Sequence, residues 1–86
     1  PAPGDWNGIY FGPSNLSSSY LAGVTVEYGG GNGLGNVVCD ATSPAISDSQ
    51  VENSSNWGIY LTGGASPTLT NVSFSGNTDG EIRPSP

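Results

Sequence analysis

Ser43-Pro44-Ala45-Ile46-Ser47-Asp48-Ser49-Gln50-Val51 and Ser66-Pro67-Thr68-Leu69-Thr70-Asn71-Val72-Ser73-Phe74 superimpose without a gap at a shift of 23 residues. Upstream, Ser19-Tyr20-Leu21-Ala22-Gly23-Val24-Thr25-Val26 fits the same frame, so Leu21, Ile46 and Leu69 share one column and Val26, Val51 and Phe74 another. A second block repeats between these. Gly8-Ile9-Tyr10-Phe11 recurs as Gly58-Ile59-Tyr60-Leu61, with Asn36-Val37-Val38-Cys39 between and Glu81-Ile82-Arg83 after. The column Ile9, Val37, Ile59, Ile82 advances by 28, 22 and 23 residues. The long first step holds the insertion Gly29-Gly30-Gly31-Asn32-Gly33, whose composition predicts a loop bulging from one coil. A fixed period of this size marks a chain of stacked repeats.

Each repeat carries two short β-prone runs punctuated by Gly, Asn and Ser, and no window shows a capped stripe of helical period. The expectation is an all-β chain without helix: a parallel β-helix of about three to four coils of 22–23 residues. Each strand then pairs with its counterpart one coil away, at about 4.8 Å. Coils are expected at about 6–33, 34–56 and 57–80, with a partial coil at 81–83, flanked by Pro-rich segments at 1–5 and 84–86. Alternation along the strands turns Ile9, Phe11, Val37, Cys39, Ile59 and Leu61 inward, and Tyr10, Val38 and Tyr60 outward. Gly23, Asp48 and Asn71 coincide at a corner, where short side chains tolerate left-handed backbone and stack along the axis.

Composition excludes much chemistry. The 86 residues include no His, no Met, one Cys, seven acids and one base, for a net charge of −6. Without His there is no Ser-His-Asp triad, and one thiol makes neither an all-cysteine zinc site nor an internal disulfide. A single cation, Arg83, argues against nucleic acid or anionic membrane as a partner, because counterion release needs several bases. No stretch is apolar enough to span a bilayer.

GDWNGIYF (4–11), YLAGVTVEYGG (20–30), SPAISDSQVENSSNWGIYL (43–61) and SPTLTNVSFSGN (66–77) together resemble the right-handed parallel β-helix repeats of the pectate-lyase-like superfamily. The resemblance covers roughly 4–83 and implies secreted, surface-associated proteins. Right-handedness follows from that resemblance and from the preference of parallel crossovers. The same repeats carry lyases, hydrolases, adhesins and inert modules, so they imply a fold more than an activity.

Asn77-Thr78-Asp79-Gly80 resembles a catalytic motif of the polygalacturonase branch, but the family's paired Asp, His-Gly and Arg-Lys motifs are absent. A glycosidase needs a second carboxylate within about 5 to 10 Å, and the turn-prone quartet is read as a turn. The lyase branch requires a basic proton acceptor that this chain lacks. No catalytic residue and no cofactor is expected. Calcium is the one ion that stacked Asp and Asn at a corner would suit.

Tyr10, Val38 and Tyr60, flanked by Trp6 and Trp57, form the candidate surface. Three readings stand: rings folded over the corners, a contact with another protein, or a platform for sugar rings. Cys39 reads as a buried thiol, with an intermolecular disulfide the alternative. Asn-x-Ser sequons occur at Asn15, Asn53 and Asn71; the first two fall in expected loops and suit glycosylation, the third in the corner ladder.

A solenoid must protect its end coils, yet no amphipathic cap is legible. The chain is expected to be a window of a longer solenoid or to cap itself by head-to-tail association, which generates a filament when it does not close. The resulting expectation is a secreted, non-enzymatic structural module at the cell surface or outside the cell, with copies of itself as partner. The alternatives are a carbohydrate-binding or carbohydrate-cleaving fragment of a larger β-helix enzyme, which makes polysaccharide the partner, and an adhesin stalk.

Overall fold

The computed structural model describes residues 2–12, 20–31 and 33–83. Among them the chain is all-β, with eight strands and no helix. The strands are β1 (Ile9–Phe11), β2 (Tyr20–Ala22), β3 (Thr25–Glu27), β4 (Gly35–Asp40), β5 (Ala45–Glu52), β6 (Trp57–Thr62), β7 (Thr68–Ser75) and β8 (Gly80–Arg83). One sheet runs β1-β4-β6-β8; in the other, β2 and β3 line one edge of β5 and β7 the opposite edge. Every pairing is parallel. The chain visits the two sheets alternately, so strands that are neighbours in space lie one repeat apart in sequence.

The register joins the columns read from the sequence. Ile9 pairs with Val37, Val37 with Ile59 and Ile59 with Ile82. Leu21 pairs with Ile46 and Ile46 with Leu69, while Val26, Val51 and Phe74 form the third column. Their side chains fill the space between the sheets. Phe11, Val26, Val37, Cys39, Ile46, Val51 and Ile59 are buried there, and Ile9, Leu21, Leu69, Val72, Phe74 and Ile82 pack around them half-exposed. Burial is partial along the outer strands β7 and β8, where a side chain has a neighbour on one side only, whereas Phe11 and Val26 at the opposite end are buried.

Left-handed residues turn the chain at three corners. Gly23, Asp48 and Asn71 have φ of 66°, 51° and 55° and occupy the expected corner, although β5 and β7 continue through it as bent eight-residue strands. Tyr28, Asn53 and Gly76 (φ 63°, 57° and 67°) follow the ends of β3, β5 and β7, and Ala41 and Gly63 (φ 55° and 66°) follow β4 and β6. Such a residue redirects the chain at each corner, and at the ends of β3 to β7 it also stops the strand.

One expectation needs correction. The glycine-rich insertion does not bulge outward at its start: Gly29 and Gly30 are buried. A Cβ on Gly30 would stand 2.6 Å from Ser54 Oγ, so glycine there serves close approach between layers. Gly4 N donates to Gly29 O at 3.0 Å, which ties the N-terminal segment to the loop after β3. Pro1 and 84–86 lie outside the described residues.

Candidate functional site

Tyr10, Val38, Tyr60 and Arg83 stand in one register column across the first sheet. Val38 does not belong to the accessible strip expected of it: it is 2% exposed, between the two tyrosines and apart from the core cluster. Tyr10 is 57% exposed and Tyr60 half-buried. The Tyr10 hydroxyl donates to Asp40 Oδ2, and this bond, helped by desolvation and the carboxylate's charge, raises the phenol above its ordinary value of 10.0. The surface is thus one open tyrosine ring braced by a carboxylate, with a valine sealed beside it.

The tryptophans stand elsewhere. Trp6 is exposed on the corner beyond β3, where its Nε1 donates to Glu27 O at 2.6 Å. Trp57 opens β6, in register with Gly35 and Gly80. Its ring takes the place a side chain at Gly80 would need, and Arg83 Cζ stands 5.9 Å from the ring centroid. That cation-aromatic contact holds β8 against β6.

At the corner of Gly23, Asp48 and Asn71, Asn71 Nδ2 donates to Asp48 Oδ1 at 2.9 Å. A second ladder was missed by sequence reasoning. Asn36 Oδ1 accepts from Gly29 N at 2.7 Å, and its Nδ2 donates to Glu52 O at 2.9 Å and lies 3.4 Å from Asn77 Oδ1. Asn77 Oδ1 also accepts from Ser54 N, and its Nδ2 donates to Val51 O, both at 3.0 Å. Asn56 Nδ2 bonds Gly30 O at 2.9 Å. Residues from successive sequence repeats are thereby joined through side-chain amides, which supply both donor and acceptor where the ladder turns. The available signal was the alignment of Ser54 with Asn77 at the repeat shift of 23.

The remaining candidates fall separately. Asn53 follows β5 at a left-handed corner, half-buried, its N donating to Ser75 O at 3.0 Å. Asn71 is exposed with its amide engaged by Asp48, and Asn15 lies outside the described residues. Asp79 N donates to Asn56 O at 2.9 Å, and the Asn77–Gly80 quartet bends into the start of β8. Among the described residues no three His, Cys, Asp or Glu side chains gather as a metal site would require. Cys39 is a free, buried thiol, pushed by that burial to a pKa of about 11.

Where the interior opens is at the ends. Leu69, Val72, Phe74 and Ile82 are half-buried at one, Ile9 and Leu21 at the other, where Val24 is 36% exposed. An open cleft of about 140 Å³ at the first of these ends is lined by Phe74, Ser75, Gly76, Asn77, Gly80 and Glu81. No protein-family model matches the chain, and no curated protein or solved structure is detectably similar to it.

Proposed function

We propose that the chain is a parallel β-helix module of the pectate-lyase-like kind with a structural rather than catalytic role. In this reading it is exported and associates end to end with copies of itself, through strand stacking, into an extracellular filament or surface element. The observation that carries the reading is the pair of incompletely covered ends, Leu69, Val72, Phe74 and Ile82 at one and Ile9, Leu21 and Val24 at the other. Both ends present aliphatic or aromatic side chains from the same columns, alongside strand edges that can extend a parallel sheet. Scarcity of Lys and Arg accords with export, and the lack of His and Lys with a non-enzymatic role.

Electron microscopy across a concentration series, with fibre diffraction of any filaments, tests this. Filaments with a spacing near 4.8 Å along their axis are the expected result. Discrete monomers at the highest concentration would overturn it.

A second reading, a sugar-binding surface, is favoured by the exposed Tyr10 ring with its hydroxyl held on Asp40. An aromatic face with a carboxylate at its edge suits a pyranose, which stacks on the ring and donates to the acceptor. Glycan-array binding that disappears in Tyr10→Ser supports it; an array with no signal removes it.

A further inference from the structure

The two sheets do not end level. At the end that carries β7 and β8, the first sheet has four rungs and the second three, so β8 stands one rung beyond β7. The turn between them is firmly held: Thr78 N donates to Ser54 O at 3.0 Å, Asp79 N to Asn56 O at 2.9 Å, and Asn77 is bonded through both ends of its amide. β7 therefore has an outer edge, unpaired among the described residues, beside a ledge formed by the turn and β8. The cleft of about 140 Å³ lies in the angle of that ledge.

We infer that this edge is a seat for one extended strand from another polypeptide, laid parallel to β7, in the manner of β-augmentation. The three rungs already in this sheet specify the guest. Leu21, Ile46 and Leu69 occupy its first position, Val24, Ser49 and Val72 the fourth, Val26, Val51 and Phe74 the sixth, and left-handed Gly23, Asp48 and Asn71 the third. The guest is a segment with apolar residues at positions one and six, a small or apolar residue at four, and Gly, Asn or Asp at three. Its seventh residue stands by Ser75, whose Oγ lies 3.4 Å from Glu52 Oε2, beside the cleft that Glu81 also lines. Lys or Arg suits that position, and a further carboxylate does not.

This seat deepens the end-to-end reading, and it rests on the coil geometry proposed there. A second copy docked with its β1 against β8 would place its β2 and β3 two rungs from β7, leaving room for one strand between them. End-to-end stacking alone leaves Leu69, Val72 and Phe74 uncovered; a donated strand covers them.

The test uses the full chain and a synthetic octapeptide, Tyr-Leu-Ala-Gly-Val-Thr-Val-Lys, which carries the 20–27 pattern with a basic last residue. Hydrogen exchange is followed residue by residue as the peptide is added. The expected result is saturable one-to-one binding that slows exchange along β7, at least tenfold weaker for a peptide with Asp in place of its second Val and for the protein variant Val72→Asp. The altered peptide keeps the test informative if the protein variant does not fold. Unchanged exchange in β7 up to millimolar peptide, with β5 and β6 protected throughout, overturns the seat and leaves the coil reading standing. If β5 and β7 exchange at unprotected rates without peptide, the coil reading fails and the seat fails with it.

Discussion

Cys39 pairs with Phe11 on one side and Leu61 on the other, in the buried centre of the first sheet. Burial raises its thiol from an ordinary 9.0 to about 11, so the folded state favours the neutral form. The associated stability is complete below pH 9.0 and is lost as pH rises through about 11. At neutral pH an aromatic disulfide reagent should label Cys39 only at the rate of opening, and labelling should become immediate in denaturant. Fast labelling of the folded chain would show that the column is not closed. Asn77 makes the complementary case for a polar residue. Asn77→Ala removes the acceptor for Ser54 N and the donor to Val51 O, and should cost about 1–3 kcal/mol in urea unfolding. Asn71→Gly loses one exposed bond at a backbone glycine accepts readily, and should change stability by less than about 1 kcal/mol.

At the scale of elements, the corners decide where strands stop. Ala41 holds φ 55° after β4 while its counterpart one repeat on, Gly63, holds φ 66° after β6. An alanine in this region is strained by about 1–2 kcal/mol, whereas a Cβ on Gly63 would also stand 3.0 Å from Ala41 Cβ and N. Ala41→Gly should therefore leave stability unchanged or raise it by up to about 1 kcal/mol, once glycine's entropy is set against the relieved strain, and Gly63→Ala should lower it by about 1–2 kcal/mol. Thermal unfolding of the pair checks the opposite signs. The apolar columns were legible because identical spacing recurs with similar residues, as at Ile46 and Leu69 or Val51 and Phe74. The corner of Asp48 and Asn71 was legible because both residues tolerate left-handed backbone. Tyr28, in the equivalent conformation, carried no such signal, and its corner went unread. Glycine is ambiguous in sequence: it marks a free loop or a close approach, and at Gly29 and Gly30 close approach prevails. Alternation set Val38 apart from the core, but its accessibility depends on what flanks it on the outer face, which strand periodicity does not describe.

For the whole molecule, charge opposes the end-to-end association proposed above. Each copy carries a net charge of −6, with one base in the chain, so two copies approaching end to end repel before their strands meet. The proposed contact, by contrast, joins apolar side chains such as Ile82 and Ile9 and the strand edges of β8 and β1, neither of which salt weakens through screening. Raising ionic strength shortens the Debye length from about 30 Å at 0.01 M to about 10 Å at 0.1 M, removing repulsion between chains without removing the attraction. Sedimentation velocity at fixed protein concentration should therefore show larger species as sodium chloride rises across that range. An interface built instead on Arg83 and the acids of a second copy would behave oppositely, dissociating as salt screens its ion pairs. The direction of the salt effect thus separates an end-on strand contact from an ionic side-on one, and dissociation by salt would overturn the end-to-end reading even if oligomers form.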